Sequence, residues 1–211
     1  MDLLTLLASA IHDAKNQLHQ ILADAATLAK MNEPAVQAIA VRLEHRSRAL
    51  DRRLVTLLGI YRLGREGMVN ITEHHVADLL NSIAVDWVGA VVECDEALVG
   101  YFDAALIRAV VSDALDNAQR FGRGQLLLTA CIKNKALLIS IEDDGDGFNV
   151  DKPDHEGAAA SSNDEASAQT GLGLYFAAEV AKAHQNHGVA GHIERTTSSQ
   201  LGGAALRIYL P

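Results

Sequence analysis

The sequence predicts a two-part chain. A helical hairpin, which a second copy would complete as a four-helix bundle, is followed by an α/β domain of the α+β sandwich kind. Three observations predict this: two long heptad stripes in the first third, short β-compatible runs alternating with amphipathic helices beyond a glycine-bearing break, and glycine clusters where a strand ends and a helix begins.

The chain has 211 residues and a formal charge of −9, with 27 acidic against 18 basic residues. That length accommodates one large domain or two small ones. The negative balance argues against nucleic-acid binding, which needs clustered Lys and Arg to displace counterions. Cys94 and Cys131 are far apart in sequence, lack metal-ligand spacing and read as buried, reduced thiols of a cytoplasmic protein. The apolar opening, Leu3 to Ile11, has Asp2 as its only charge. It lacks the basic start of a signal peptide and is too short to span a bilayer.

The first stripe runs through Leu4, Leu7, Ile11, Ala14, Leu18, Ile21, Ala25 and Leu28. The second runs through Val36, Ala40, Leu43, Ser47, Leu50, Leu54, Leu57 and Tyr61. Spacings that alternate between three and four put each set on one helix face. Met31-Asn32-Glu33-Pro34 breaks the pattern, with Pro34 placed to open the second helix. Two helices alone cannot bury both stripes, so the hairpin (1–64) is expected to form a homodimer. Residues 65–68 read as a linker.

From residue 69 the pattern is mixed α/β. Helices are expected over His74–Ala84, Asp103–Phe121 and Leu172–His184. Strands are expected over Ala90–Cys94, Gln125–Cys131, Ala136–Glu142, Gly191–Thr196 and Ala204–Leu210, with residues 132–136 at a hairpin tip. Residues 149–170, rich in Ala, Ser, Asp and Glu, have little to bury and read as a mobile loop.

Four clusters carry candidate chemistry. His12 lies beside a stripe position, next to Asp13 and one turn from Asn16. A carboxylate accepting the Nδ1–H leaves the Nε2 lone pair free for nucleophilic attack. Asp113 and Asn117 share a helix face, followed by Arg120. Their oxygens suit Mg²⁺, and the guanidinium suits phosphate. Asp143-Asp144-Gly145-Asp146-Gly147-Phe148 follows an apolar strand, so a carboxylate there can accept an amino group while glycines admit close backbone approach. Thr170-Gly171-Leu172-Gly173-Leu174 opens a helix, where free N–H groups can hold phosphates. It is neither a Walker loop nor a dinucleotide fingerprint.

Taken in order, His-Asp-x-Lys-Asn, Asn-Ala-x-Arg-Phe, Asp-x-Gly-x-Gly and Gly-Leu-Gly-Leu resemble the H, N, G1 and G2 boxes of the sensor histidine kinase core. The resemblance covers nearly the whole chain, to the closing Gly202-Gly203-Ala204 and Leu210-Pro211. It implies a dimerisation and phosphotransfer hairpin over 1–64, then a Bergerat-type (GHKL) ATP-binding domain over 69–211 whose ATP lid is 149–170. It implies that His12 is the phosphorylated histidine, Asp13 its general base, and Asn16 the orienter of water for dephosphorylating a partner. Asn117 would hold Mg²⁺, with Asp113 beside it, and Arg120 would lie near the phosphates. Asp143 would hydrogen-bond the adenine amino group, and Gly145, Gly147, Gly171 and Gly173 would shape the nucleotide pocket. The partner implied is the receiver domain of a response regulator. Gln17 stands where many members have Pro, and Asp113 where relatives often carry Asn or Glu. No sensor precedes His12 in this sequence, so input is expected from a separate protein in trans or from a segment outside it. Alternatives are a phosphorelay histidine phosphotransferase, a GHKL serine kinase that binds a sigma factor, and an ATP-binding adaptor without turnover.

Overall fold

A computed structural model describes residues 14, 18–31, 33–63, 69–148 and 172–211. The chain divides into two compact units, Met1–Arg65 and Glu66–Pro211.

In the first unit, residues 18–28 form helix α1 and Pro34–Leu63 form α2. Pro34 sits in the first turn of α2, where its missing N–H costs no hydrogen bond. His19 Nε2 lies 3.8 Å from Asp51 Oδ1, so the two helices run side by side. Each heptad stripe splits in two. Leu18, Ala25, Ala40 and Ser47 are buried, whereas Ile21, Leu28, Leu50 and Leu57 are exposed. The buried half is mostly small, which lets the helices approach; the outward half is mostly large and apolar.

The second unit is a mixed sheet carrying a layer of three helices. Its elements are β1 (Thr72–His75), α3 (Val76–Ala84), β2 (Ala90–Cys94), β3 (Val99–Phe102), α4 (Ala104–Phe121), β4 (Leu126–Lys133), β5 (Ala136–Asp143), α5 (Leu172–Ala183), β6 (Gln185–Asn186), β7 (Val189–Ala190), β8 (His192–Thr197) and β9 (Ala204–Leu210). The main sheet has the order β2-β4-β5-β9-β8. β2 and β4 are parallel, and the other pairs are antiparallel. A parallel pair needs a long crossover, and α4 supplies it. Against the sheet, α3 packs on β2, α4 on β5, and α5 on β8 and β9.

α4 buries Leu106, Ile107, Val110, Val111, Ala114, Leu115 and Ala118, a stripe at helical spacing. The central strand β5 is buried from Leu137 to Asp143. That continuous burial explains its apolar sequence and places its last residue where the sheet meets the ends of the helices. Asn134 (φ 51°) and Lys135 (φ 68°) form the two-residue turn between β4 and β5, within the expected hairpin tip.

The structure corrects several sequence expectations. His74 and His75 belong to strand β1, not to the start of a helix, and α3 begins at Val76. β1 has no apolar alternation to reveal it; pairing with β3, from Thr72 opposite Phe102 to His75 opposite Val99, defines it. Strand β3 and the small β6–β7 hairpin were not anticipated. In the latter, His187 (φ 49°) and Gly188 (φ 80°) form a two-residue turn in the left-handed region, which histidine enters more often than most residues with a Cβ. The cysteines are free, but Cys131 is exposed and Cys94 half-buried rather than both buried. Neighbouring strands bring them together in space, since Cys94 pairs with Ala130. The expected linker (65–68) and lid (149–170) lie outside the described residues.

His184 ties α5 to the start of α4. Its Nδ1–H donates to Val180 O (2.7 Å), and its Nε2 accepts the Asp103 N–H (3.0 Å). Those bonds fix the neutral tautomer, because Nε2 must keep its lone pair. Burial pushes the imidazole below its ordinary pKa of 6.5, against opposing contributions from Val180 O and Asp103. Asp103 caps α4, its Oδ1 accepting the N–H groups of Ala105 and Leu106 (3.0 and 3.1 Å). As pH falls below about 6.5, the unfolded chain takes up a proton at His184 before the native state does. This contribution to stability is therefore complete above that value and is lost on acidification towards the depressed native pKa. Urea unfolding across this range should show it, and His184→Gln should flatten that part of the pH profile.

Candidate functional site

The end of β5, the C-terminal turns of α4, the start of α5 and the β8–β9 loop converge on one site. Asp143, 6% exposed, is its centre. Asp143 Oδ1 accepts the N–H of Gly145 (2.8 Å) from its own turn and of Ala204 (3.0 Å) from the start of β9. Its backbone oxygen accepts the Gly203 N–H (3.1 Å). Among the described residues no hydrogen bond falls on Oδ2, so the carboxylate is fixed through one oxygen while the other can accept a ligand's donor.

Glycines frame this carboxylate for different reasons. A Cβ on Gly145 would strike the Phe121 backbone oxygen at the end of α4, so a side chain there would push α4 and β5 apart. Gly147, at φ +80°, occupies the left-handed region that residues with a Cβ avoid. A Cβ on Gly203 would strike Asp143 and the Gly145 nitrogen. Along the chain Gly203 is only part of the ending; its role depends on a closeness that strand pairing creates.

The adjacent Asp144 has a different task. Its Oδ1 accepts the N–H groups of Arg123 (2.6 Å) and Gly124 (3.1 Å), closing the turn after α4. Desolvation works to raise its pKa, but backbone N–H groups of Arg123, Gln125, Asp144 and Gly124 together outweigh it and hold the carboxyl below its ordinary range. Arg123 also pairs with Asp146 at 2.6 Å on the surface. Asp144 is thus committed to the turn after α4, and Asp146 to a surface ion pair.

On α4, Asp113 and Asn117 lie one turn apart on the same face. A Cβ on Gly173 would run into the Asp113 carboxylate, so the first turn of α5 packs directly on α4 beside Asn117. Asn117 is exposed. Arg120 is also exposed, with its guanidinium 5.3 Å from the Phe121 ring centroid. At the other end of the turn, Arg195 of β8 lies 5.9 Å from the Phe148 ring centroid. Asp113, Asn117, Arg120, Asp143, Gly145, Gly147 and Gly173 therefore line one end of one domain. His12, Asp13, Asn16 and Gly171 lie outside the described residues. Among the described residues, no three His, Cys, Asp or Glu side chains converge to hold a metal. Asn117 would have to share an ion with a ligand's own oxygens.

Residues 102–211 match the family model for the histidine kinase-, DNA gyrase B-, and HSP90-like ATPases. The chain belongs to this family. The matched residues run from β3 to the C-terminus and include every described site residue. The matched region is thus an α/β GHKL-type ATP-binding domain.

Solved structures agree on the fold. Full-length ShkA in complex with AMPPNP is 19% identical with a TM-score of 0.61, covering 98% of this chain. This chain spans 45% of that protein's length. The histidine kinase AdeS of Acinetobacter baumannii is 19% identical with a TM-score of 0.55, covering 92% of this chain and 93% of its own. The catalytic domain of histidine kinase ThkA is 16% identical with a TM-score of 0.50, covering 67% of this chain and 95% of its own. No curated protein matches the chain. No described helix is long and apolar enough to cross a membrane.

Two neighbouring glycines separate crowding from backbone conformation. Gly203→Ala should cost about 2–3 kcal/mol through overpacking against Asp143. Gly202→Ala, at φ +84° in open space, should cost about 1–2 kcal/mol for its left-handed backbone alone. Denaturant unfolding compares the two directly, and only Gly203→Ala should also weaken nucleotide binding.

Proposed function

We propose that the protein is a two-component histidine kinase. It autophosphorylates on His12 from Mg-ATP and passes the phosphoryl group to an aspartate on the receiver domain of a response regulator. The observation that carries this reading is the pinned Asp143 carboxylate. It combines a fixed orientation, a second oxygen without a hydrogen bond among the described residues and a setting of close-packed glycines, as binding of the adenine amino group requires. The AMPPNP bound by ShkA supports a nucleotide on this fold.

In this reading, Asp143 Oδ2 accepts an N–H of the adenine amino group. Gly145, Gly147, Gly171 and Gly173 leave room for the nucleotide, and residues 149–170 form the lid. Asn117 holds Mg²⁺ through its amide oxygen, with Asp113 positioning the start of α5 beside it and Arg120 facing the phosphates. The ion supplies charge neutralisation at the phosphate oxygens. His12 Nε2 attacks the γ-phosphorus in line, forming an N–P bond as the P–O bond to the β-phosphate breaks and ADP leaves. Asp13 accepts the Nδ1–H and holds the ring during attack. The receiver carboxylate then displaces the phosphoryl group from His12. Asn16 orients water for the reverse duty, hydrolysis of the receiver's acyl phosphate.

The exposed halves of the hairpin stripes support a homodimer. Ile21, Leu28, Leu50 and Leu57 repeat along α1 and α2 with no cover within the described residues. A second hairpin would bury them as the core of a four-helix bundle. The domain boundaries (1–64 for phosphotransfer, 69–211 for ATP binding) follow from this assignment. A cytoplasmic location completes it.

Incubation with γ-labelled ATP and Mg²⁺ should give acid-labile, base-stable label that disappears in His12→Ala. Nucleotide binding without label would replace this reading with the ATP-binding adaptor, and absence of nucleotide binding would favour the histidine phosphotransferase. Asn16→Ala should keep at least about half of the autophosphorylation rate while losing dephosphorylation of the receiver by about tenfold or more, as expected for a group used in one of two transition states. A parallel decline in both rates would count against a separate role for Asn16.

A further inference from the structure

Two successive residues of β5, Glu142 and Asp143, project from opposite faces of the strand. Asp143 belongs to the nucleotide site. Glu142 is a buried carboxylate, 4% exposed, that takes no part in it. Its Oε1 accepts the Ser140 hydroxyl (3.0 Å), and its Oε2 accepts the Ser198 hydroxyl (2.5 Å). Ser140 and Ser198 are also buried.

Ser198 organises the β8–β9 loop around itself. Its Oγ accepts the N–H groups of Leu201 (2.8 Å) and Gln200 (3.2 Å). Its backbone N–H donates to Gly203 O (2.8 Å), and its backbone oxygen accepts the Gly202 N–H (3.2 Å). The same loop then delivers the Gly203 N–H to Asp143 O and the Ala204 N–H to Asp143 Oδ1. A continuous chain of hydrogen bonds thus leaves β5 at Glu142, passes through Ser198 and the loop, and returns to β5 at Asp143.

We propose that Glu142 and Ser198 are positioning residues for the nucleotide base. They form a clasp that sets the β8–β9 loop, and through it the orientation of the Asp143 carboxylate, so that ATP is selected for its 6-amino group. The inference rests on the reading of Asp143 as the adenine acceptor. Its physical basis is the buried, charge-assisted bond. A hydroxyl donating to a desolvated carboxylate is stronger than a neutral pair, and its loss leaves the loop to find its own place. The loop is otherwise held to β5 at this end by bonds to Asp143 itself, so without the clasp Asp143 would be oriented by a segment it must also anchor.

The test compares binding of ATP with binding of purine riboside triphosphate, which carries hydrogen in place of the 6-amino group, by titration calorimetry on the full chain. Ser198→Ala should weaken ATP by about tenfold and the analogue by less than about twofold, the scale of losing one oriented hydrogen bond. Glu142→Gln keeps the shape but removes the charge and one of the two acceptor oxygens, and should narrow the ATP preference by about threefold, whereas Ser198→Thr, which keeps the hydroxyl, should retain the wild-type ratio. Equal weakening of both nucleotides, or an unchanged ratio in Ser198→Ala and Glu142→Gln, would overturn the clasp. Asp143→Asn separates the two ideas. If it abolishes the ATP preference while the clasp variants leave the ratio unchanged, the adenine assignment stands and the clasp fails. If Asp143→Asn leaves the preference intact, the adenine assignment fails and takes the clasp with it.

Discussion

The ATP-binding domain depends on one small constraint: Asp143 Oδ1 accepts two backbone N–H groups, from Gly145 and Ala204. Satisfying both requires β5 and β9 to be adjacent and the chain after Asp143 to turn sharply. It also requires Gly203 to lie against Asp143 without a Cβ between them. Each requirement is met by a different part of the fold. Strand pairing from Leu137 opposite Leu210 to Glu142 opposite Ala205 brings the two strands into register. The glycines then permit an approach that backbone carbonyls would otherwise block. What results is a carboxylate that spends one oxygen on structure and retains the other for chemistry.

The helices are arranged by the same economy of space. Gly145 fits beneath the Phe121 carbonyl, and Gly173 fits against Asp113, so both ends of the nucleotide region are set by close contacts to α4. His184 and the Asp103 cap fix the opposite end of α4 and α5. A helix pinned at one end by a buried imidazole and packed through a glycine at the other has little freedom to slide. That matters for Asn117, which would have to meet phosphate oxygens and a cation within a few tenths of an ångström. The hairpin unit is built on another principle. Its most buried stripe positions are mostly small, and several large apolar residues of the same stripes face outward, a sensible arrangement for half of a bundle.

Much of this was legible in the sequence, and the exceptions share a cause. The stripe on α4, the runs of β4, β5 and β9, and the β4–β5 turn all carry their signal within a few neighbouring residues. Strand β1 does not: Thr72-Glu73-His74-His75 is extended because β3 pairs with it. Within the site, Asp143 and the glycines of its turn could be named from their motif. Asp144 could not be distinguished in role from Asp143 or Asp146, since three neighbouring carboxylates look alike until hydrogen bonds commit Asp144 to the turn after α4 and Asp146 to a surface pair with Arg123. Gly203 and Ala204 reach Asp143 only through strand pairing, and along the chain they mark no more than the final turn.

The sequence by itself determined the periodicities, the order of the chemical clusters and the family to which they point, because each of these is a property of residues close along the chain. Which oxygen of which carboxylate remains available, and what holds it there, was decided by tertiary structure. The reason is geometric. Donors at 145 and 204 reach the same atom only after the sheet has placed the final strand beside β5, and no spacing along the chain encodes that distance.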